Sequence, residues 1–142
     1  MAISTCARFT GGPRPPLSPT DDLNPGAEIV QHLVQQFPRM GVDVDGVEDI
    51  QYARELRCCV SGTTYIVTVS YDWVTRGWWE IAYTCKSSWL RRLFGASDED
   101  RMRRLTFAIA AALDCLPNVG EVRWYPECGV TPSREYTLRP QT

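Results

Sequence analysis

Apolar residues recur at helical spacing in two stretches of this chain and alternate with polar ones in the stretch between them. Ile29, Val30, Leu33, Val34 and Phe37 fall on one stripe of a helix. Asn24 can cap that helix, Pro25 suits its first position, and Pro38 with Gly41 ends it. Val42-Asp43-Val44 then alternates, and Asp45-Gly46 signals a tight turn. Leu56, Cys58 and Val60 alternate with Arg57 and Cys59, and Ser61-Gly62 turns the chain. Tyr65, Val67, Val69 and Tyr71 line one face of the next strand. Beyond a loop from Asp72 to Gly77, Trp79, Ile81, Tyr83 and Cys85 line another. Period-2 runs joined by short turns predict an antiparallel meander.

Trp89 to Phe94 reads as a short helical turn closed by Gly95. Ser97 caps a second main helix, with Asp98, Glu99 and Asp100 where negative charge favours the helix dipole. Its buried stripe is Met102, Leu105, Ile109, Leu113 and Leu116, and Pro117-Asn118 ends it. Glu121 to Tyr125 reads as a further strand, and Tyr136 to Leu138 as a weaker last one. The pattern predicts an α+β fold, a twisted antiparallel sheet of about four to five strands with two main helices packed on one face. Residues 1–23, with the run Gly11-Gly12-Pro13-Arg14-Pro15-Pro16, are expected to form a flexible Pro/Gly-rich tail. Residues 24–142 are expected to form a single domain.

If the helices cover the face bearing Leu56, Val67, Tyr83 and Trp79, the opposite face carries Arg57, Ile66, Thr68, Trp78, Arg123 and Tyr125. A solvated sheet face has no need of a tryptophan, and covering one removes up to about 200 Å² from water. Trp, Tyr and Arg together have the composition of an interface hot spot. The neighbouring loop places Trp73 and Arg76 close by in sequence. Trp73, Arg76, Trp78, Ile66, Tyr125 and Arg57 are therefore the candidate partner-binding residues. The other reading of this loop is a hairpin whose aromatics plug the end of the core, where aromatics more often lie.

Composition narrows the chemistry. Hydrophobic residues at 44% and charged residues at 23% mark a globular chain. A net charge of −2 argues against a dedicated nucleic-acid binder. No apolar run reaches the ~20 residues of a spanning helix, and the first residues lack a secretory signal pattern, so a cytoplasmic protein without a membrane partner is expected. The six cysteines contain no C-x-x-C spacing, and free thiols are expected in that compartment. No catalytic or metal residues are assigned, and no cofactor is expected. The single histidine, His32, falls opposite the apolar stripe of its helix, and no nucleophile, phosphate-loop or zincin motif is present. Asp43 to Asp49 lacks two of the ligands that a calcium loop needs.

Charge is unevenly spread. Residues 21–55 hold eight acids and two bases, whereas residues 86–104 hold six bases and three acids. Such asymmetry steers oppositely charged partners, although Arg101 and Arg104 can also pair with acids on their own helix.

The element order, size and acidity resemble those of small secretion chaperones of the type III class, from which the tryptophan load and the missing final helix depart. Bacterial immunity proteins are a second similar group, small and acidic, with the segment Asp43 to Glu55 as the corresponding acidic surface. Both resemblances imply a non-catalytic, cytoplasmic, protein-binding module, chaperone-like or immunity-like, acting on a protein partner or as a homodimer. The alternative is a small-molecule site or enzyme with a pocket between helices and sheet, lined by Tyr65, Tyr83, Trp79 and Cys85.

Overall fold

The computed structural model describes residues 3–15, 25–85, 98–126 and 136–142. The expected cap at Asn24, the turn from Trp89 to Phe94 and the cap at Ser97 lie outside the described residues. Six antiparallel strands are present among those described: β1 (Cys6–Gly11), β2 (Asp43–Ile50), β3 (Ala53–Val60), β4 (Thr63–Tyr71), β5 (Trp78–Cys85) and β6 (Val119–Tyr125). They form one sheet in the order β2-β3-β4-β5-β1-β6. Helix α1 (Ala27–Gln36), a 3-10 turn (Phe37–Met40) and helix α2 (Asp98–Cys115) complete the α+β fold. The class is the expected one, with one strand more than the pattern predicted.

The additional strand is β1, from the segment expected to be a tail. Ala7 and Phe9 point into the core and are fully buried, while Cys6, Arg8 and Thr10 face the other way. β1 pairs with β5 through Cys6↔Ala82 and Phe9↔Trp79, and with β6 through Cys6↔Tyr125 and Phe9↔Val122. The register shifts between Phe9 and Gly11, where Gly11 takes φ 76° and a Cβ would collide with the Asn118 carbonyl. Glycine is required there both for the left-handed backbone and for the close approach of β6.

The covered face is the expected one. Leu56, Cys58, Val60, Tyr65, Val67, Val69, Ile81 and Trp79 are all buried with Ile29, Leu33, Leu105 and Ile109 in one cluster. Helix α1 starts later than predicted, after Gly26 at φ 104°. A Cβ on Gly26 would lie 3.2 Å from both Trp79 and Val69, so glycine lets the helix N-terminus rest directly on the sheet. Tyr83, Trp79 and Tyr65 fill the space between sheet and helices instead of lining an opening, at no more than 4% exposure. The Tyr83 hydroxyl lies 2.6 Å from Thr106 Oγ1, which donates to the Ser4 carbonyl at 2.7 Å. Ser4 also exchanges hydrogen bonds with Gln141, so the N-terminal segment, α2, β5 and the C-terminal segment meet there.

Two local readings are corrected. Asp45-Gly46 is not a turn: β2 runs through it with a bulge between Val44 and Gly46, and the chain reverses at Gln51-Tyr52, with Tyr52 at φ 64°. A bulge absorbs one extra residue, and Gly46 takes no left-handed backbone and has open space where a Cβ would stand, so the turn geometry that Asp-Gly favours is not used there. β2 is an edge strand, and its Asp43, Asp45, Glu48 and Asp49 are exposed, a charge pattern that discourages edge-to-edge association. The weak last strand reduces to one bridge, Thr137 with Trp124.

His32 is not an ordinary surface residue. Its Nε2 donates to the Ala112 carbonyl at 2.7 Å. Ala112 lies in the last turn of α2, where main-chain carbonyls lack intrahelical partners, so His32 caps one helix from the other.

Two stability predictions follow from these contacts. Phe9→Ala is expected to cost about 3–5 kcal/mol, as for other fully buried aromatics, whereas a residue in a flexible tail would cost nothing. His32→Ala is expected to cost about 1 kcal/mol through the lost carbonyl bond. Urea denaturation of each variant measures both.

Candidate functional site

Alternation along β1, β5 and β6 places Arg8, Trp78, Glu80 and Arg123 on the face of the sheet away from the helices. Arg8 is directly opposite Glu80 on one side and Arg123 on the other, and Thr10 is opposite Trp78. The two guanidiniums converge on the Trp78 indole, with Arg8 Cζ 5.6 Å and Arg123 Cζ 4.6 Å from the ring centroid. Arg123 also lies 4.4 Å from the Tyr136 ring. The result is a stack of alternating cation and ring: Arg8, Trp78, Arg123, Tyr136.

Each cation is anchored. Arg8 keeps only 10% of its side-chain exposure, pairs with Asp72 at 2.5 Å and has Glu80 at 3.9 Å. Arg123 pairs with Glu121 at 3.1 Å. Ion pairs and stacking together fix the Trp78 ring in a half-exposed position.

Asp72 links the stack to the neighbouring loop. Its Oδ1 accepts from the Val74 and Thr75 N–H groups, both at 3.0 Å, while Oδ2 holds Arg8. The Gly77 N–H donates to the Tyr71 hydroxyl at 2.7 Å, and Arg76 closes the turn at φ 53°. Burial would raise the Asp72 pKa, but the Thr75 hydrogen bonds, the Arg8 charge and the Val74 N–H outweigh it and hold the carboxyl below its ordinary value. At the tip, Val74 is 96% exposed.

The six residues singled out from sequence do not form one patch. Trp78 is in the stack. Trp73 packs edge-on against Tyr71 at 4.9 Å, on the core side of the loop, with Arg76 Cζ 6.0 Å from its ring centroid. It plugs the end of the core. Ile66 and Arg57 are cross-strand partners in a shallow recess of about 120 Å³ between β2 and β4, beside Glu48 and Glu55. Ile66 is opposite Thr84, six residues along β5 from Trp78, a separation of roughly 20 Å at the rise of a strand. Tyr125 does not form part of an accessible surface. It is 2% exposed, clustered with Cys6 and Ala82, its ring 6.0 Å from that of Tyr136. Arg8 and Tyr136 were missed. The alternation of Cys6, Arg8 and Thr10 against Ala7 and Phe9 was the available signal for the first, whereas the second reaches the stack only through the Thr137–Trp124 bridge.

Cys6, Cys58, Cys59, Cys85 and Cys115 are thiols rather than disulfides, and Cys128 lies outside the described residues. Burial, with Asp45 and Cys59 adding to it, pushes the Cys58 thiol up to about 12, so it stays protonated and unreactive. No described helix is long and apolar enough to cross a membrane.

No family model matches this chain, and no curated protein or solved structure matches it significantly either.

The Asp72 geometry carries its own test. Asp72→Asn keeps the shape but removes the charge, and at neutral pH it is expected to cost about 1.5–3 kcal/mol, the range for hydrogen bonds to a charged group. Because the folded-state pKa lies below the unfolded one, the Asp72 contribution is complete above about pH 4 and is lost as pH falls through the folded value. Urea titrations at about pH 7 and about pH 3 should therefore show the gap between parent and variant closing at the lower pH.

Proposed function

We propose that this chain is a non-catalytic protein-binding domain that engages its partner through the open face of the sheet, centred on the stack of Arg8, Trp78, Arg123 and Tyr136. The observation that carries this reading is the half-exposed Trp78 held between two anchored guanidiniums. Arginine and tryptophan dominate interface hot spots because they combine a large contact area with directed hydrogen bonding. Side chains already fixed in place lose little further entropy when a partner docks. The loop tip at Val74 and Arg76 adjoins this surface through Asp72 and extends it. The partner is a protein, or a second copy of the chain, and a cytoplasmic role of the chaperone or immunity type fits a small acidic domain.

A second reading, small-molecule binding, is favoured by one feature. A groove of about 550 Å³ lies between α2 and β6, with Leu113, Trp124 and Leu138 along it and Asp114 and Arg139 at its rim. Its size is that of a ligand pocket, but it is open and holds few convergent polar groups.

Trp78→Ser separates the two. It is expected to abolish capture of the partner from native extract, or dimerisation on a sizing column. It should lower stability by no more than about 2 kcal/mol, the transfer value of a half-buried aromatic. Retained capture, or a stability loss as large as that of Phe9→Ala, would make Trp78 structural and end the reading.

A further inference from the structure

The basic half of the charge asymmetry points to a second surface, on the helical layer and away from the open sheet face. Helix α2 buries Leu105, Ala108, Ile109 and Ala112. Phe107 falls off that stripe and is 56% exposed. Met40, the last residue of the 3-10 turn, is 38% exposed. The two come from elements far apart in sequence, yet they share one groove of about 470 Å³. Single exposed apolar residues are ordinary, but two that converge in a concavity form a patch.

Three arginines rim this groove against one acid, Asp100. Arg103 is already neutralised by Glu99 at 3.3 Å and Asp100 at 3.2 Å, and its Nε donates to the Thr142 carbonyl. Pairing at helical spacing accounts for that residue. It does not account for Arg104, which reaches only the Ser61 hydroxyl at 3.3 Å, or for Arg39. Among the described residues, neither of these has a carboxylate within ion-pair distance. Two guanidiniums with no carboxylate partner among the described residues thus flank an exposed phenyl ring in a chain whose net charge is −2.

We propose that this groove docks an acidic segment of a partner protein, with an apolar side chain of that segment seated between Phe107 and Met40 and its carboxylates on Arg39 and Arg104. Guanidinium forks match carboxylates in bidentate geometry, and the apolar anchor supplies the buried area that ion pairs alone do not. A nucleic acid fits less well. Its backbone carries a charge every ~1.7 Å, far more than two free arginines neutralise, and the acidic chain as a whole repels it.

The test uses synthetic fluorescein-labelled peptides in which glutamates flank a single Leu, Phe or Trp. Copies with Lys for Glu and with Ser for the apolar residue serve as controls. Fluorescence polarisation against the full chain is expected to show saturable binding of the acidic peptides that weakens as salt is added. Phe107→Ser, and separately the double change Arg39→Glu with Arg104→Glu, should each weaken it at least about tenfold, as loss of a hot-spot contact does. All three residues are exposed, so the melting temperature of these variants should stay near that of the parent. Trp78→Ser should bind the peptides normally, which keeps this site distinct from the open sheet face. The proposal is overturned if none of the acidic peptides binds saturably or if the Lys copies bind equally. It is also overturned if short oligothymidylate binds more tightly, or if Phe107→Ser dissolves a dimer, which would assign the groove to a second copy.

Discussion

The insertion of β1 between β5 and β6 is the constraint on which the rest of the molecule depends. Without it, β6 and the C-terminal segment would have no place in the sheet, since β6 pairs with no other named strand. Phe9 sits opposite Trp79 on one side and Val122 on the other, so a single buried ring joins the meander to the last strand. The cost is entropic, because both pairings close long loops before they gain any contact. The return is an interior strand buried on its core face and paired on both sides.

The same strand organises the open face. Arg8 reaches sideways to Asp72, Glu80 and Trp78, and so couples the β4–β5 loop to the stack. A buried arginine is costly unless paired, and the short contact with Asp72 meets that cost. Asp72 in turn spends its second oxygen on the loop backbone. One ion pair therefore fixes both the orientation of the indole and the shape of the turn. The helical layer is built differently. There, among the described residues, Arg104 is held by the Ser61 hydroxyl alone and Arg39 by no carboxylate, which suits a surface whose contacts are made by a partner.

Legibility from sequence followed the range of the interactions. The faces of β3, β4 and β5 and the stripe of α2 were readable, because side-chain alternation and helical spacing are properties of neighbours in the chain. Trp79, Tyr83, Leu105 and Ile109 lie where their periodicity placed them. Asp45-Gly46 carries a turn signal in sequence, yet β2 runs through it, because pairing with β3 on both sides of the bulge overrides a two-residue local preference. β1 was hidden by its brevity, by the small side chains of Cys6 and Ala7, and by the Gly-Gly-Pro run that follows. The candidate patch grouped Trp78 with Tyr125, and the structure separates them by exposure: Trp78 is half-buried and Tyr125 is buried. Tyr125 shares the face of Trp78, but its burial is set by Tyr136 and the Cys6–Ala82 pair rather than by its own strand.

The sequence alone determined the α+β class, the antiparallel meander, the two amphipathic helices, and which face of the sheet they cover. Each of these is encoded by a period of two or about 3.6 residues, and burial of the apolar stripe leaves one arrangement favourable. Tertiary structure decided that Cys6–Gly11 is a strand inserted between β5 and β6. It also decided that His32 caps α2, and that Trp78 lies between two cations drawn from opposite ends of the chain. Those outcomes depend on pairing between residues remote in sequence, and no local pattern of hydrophobic and polar positions specifies a distant partner.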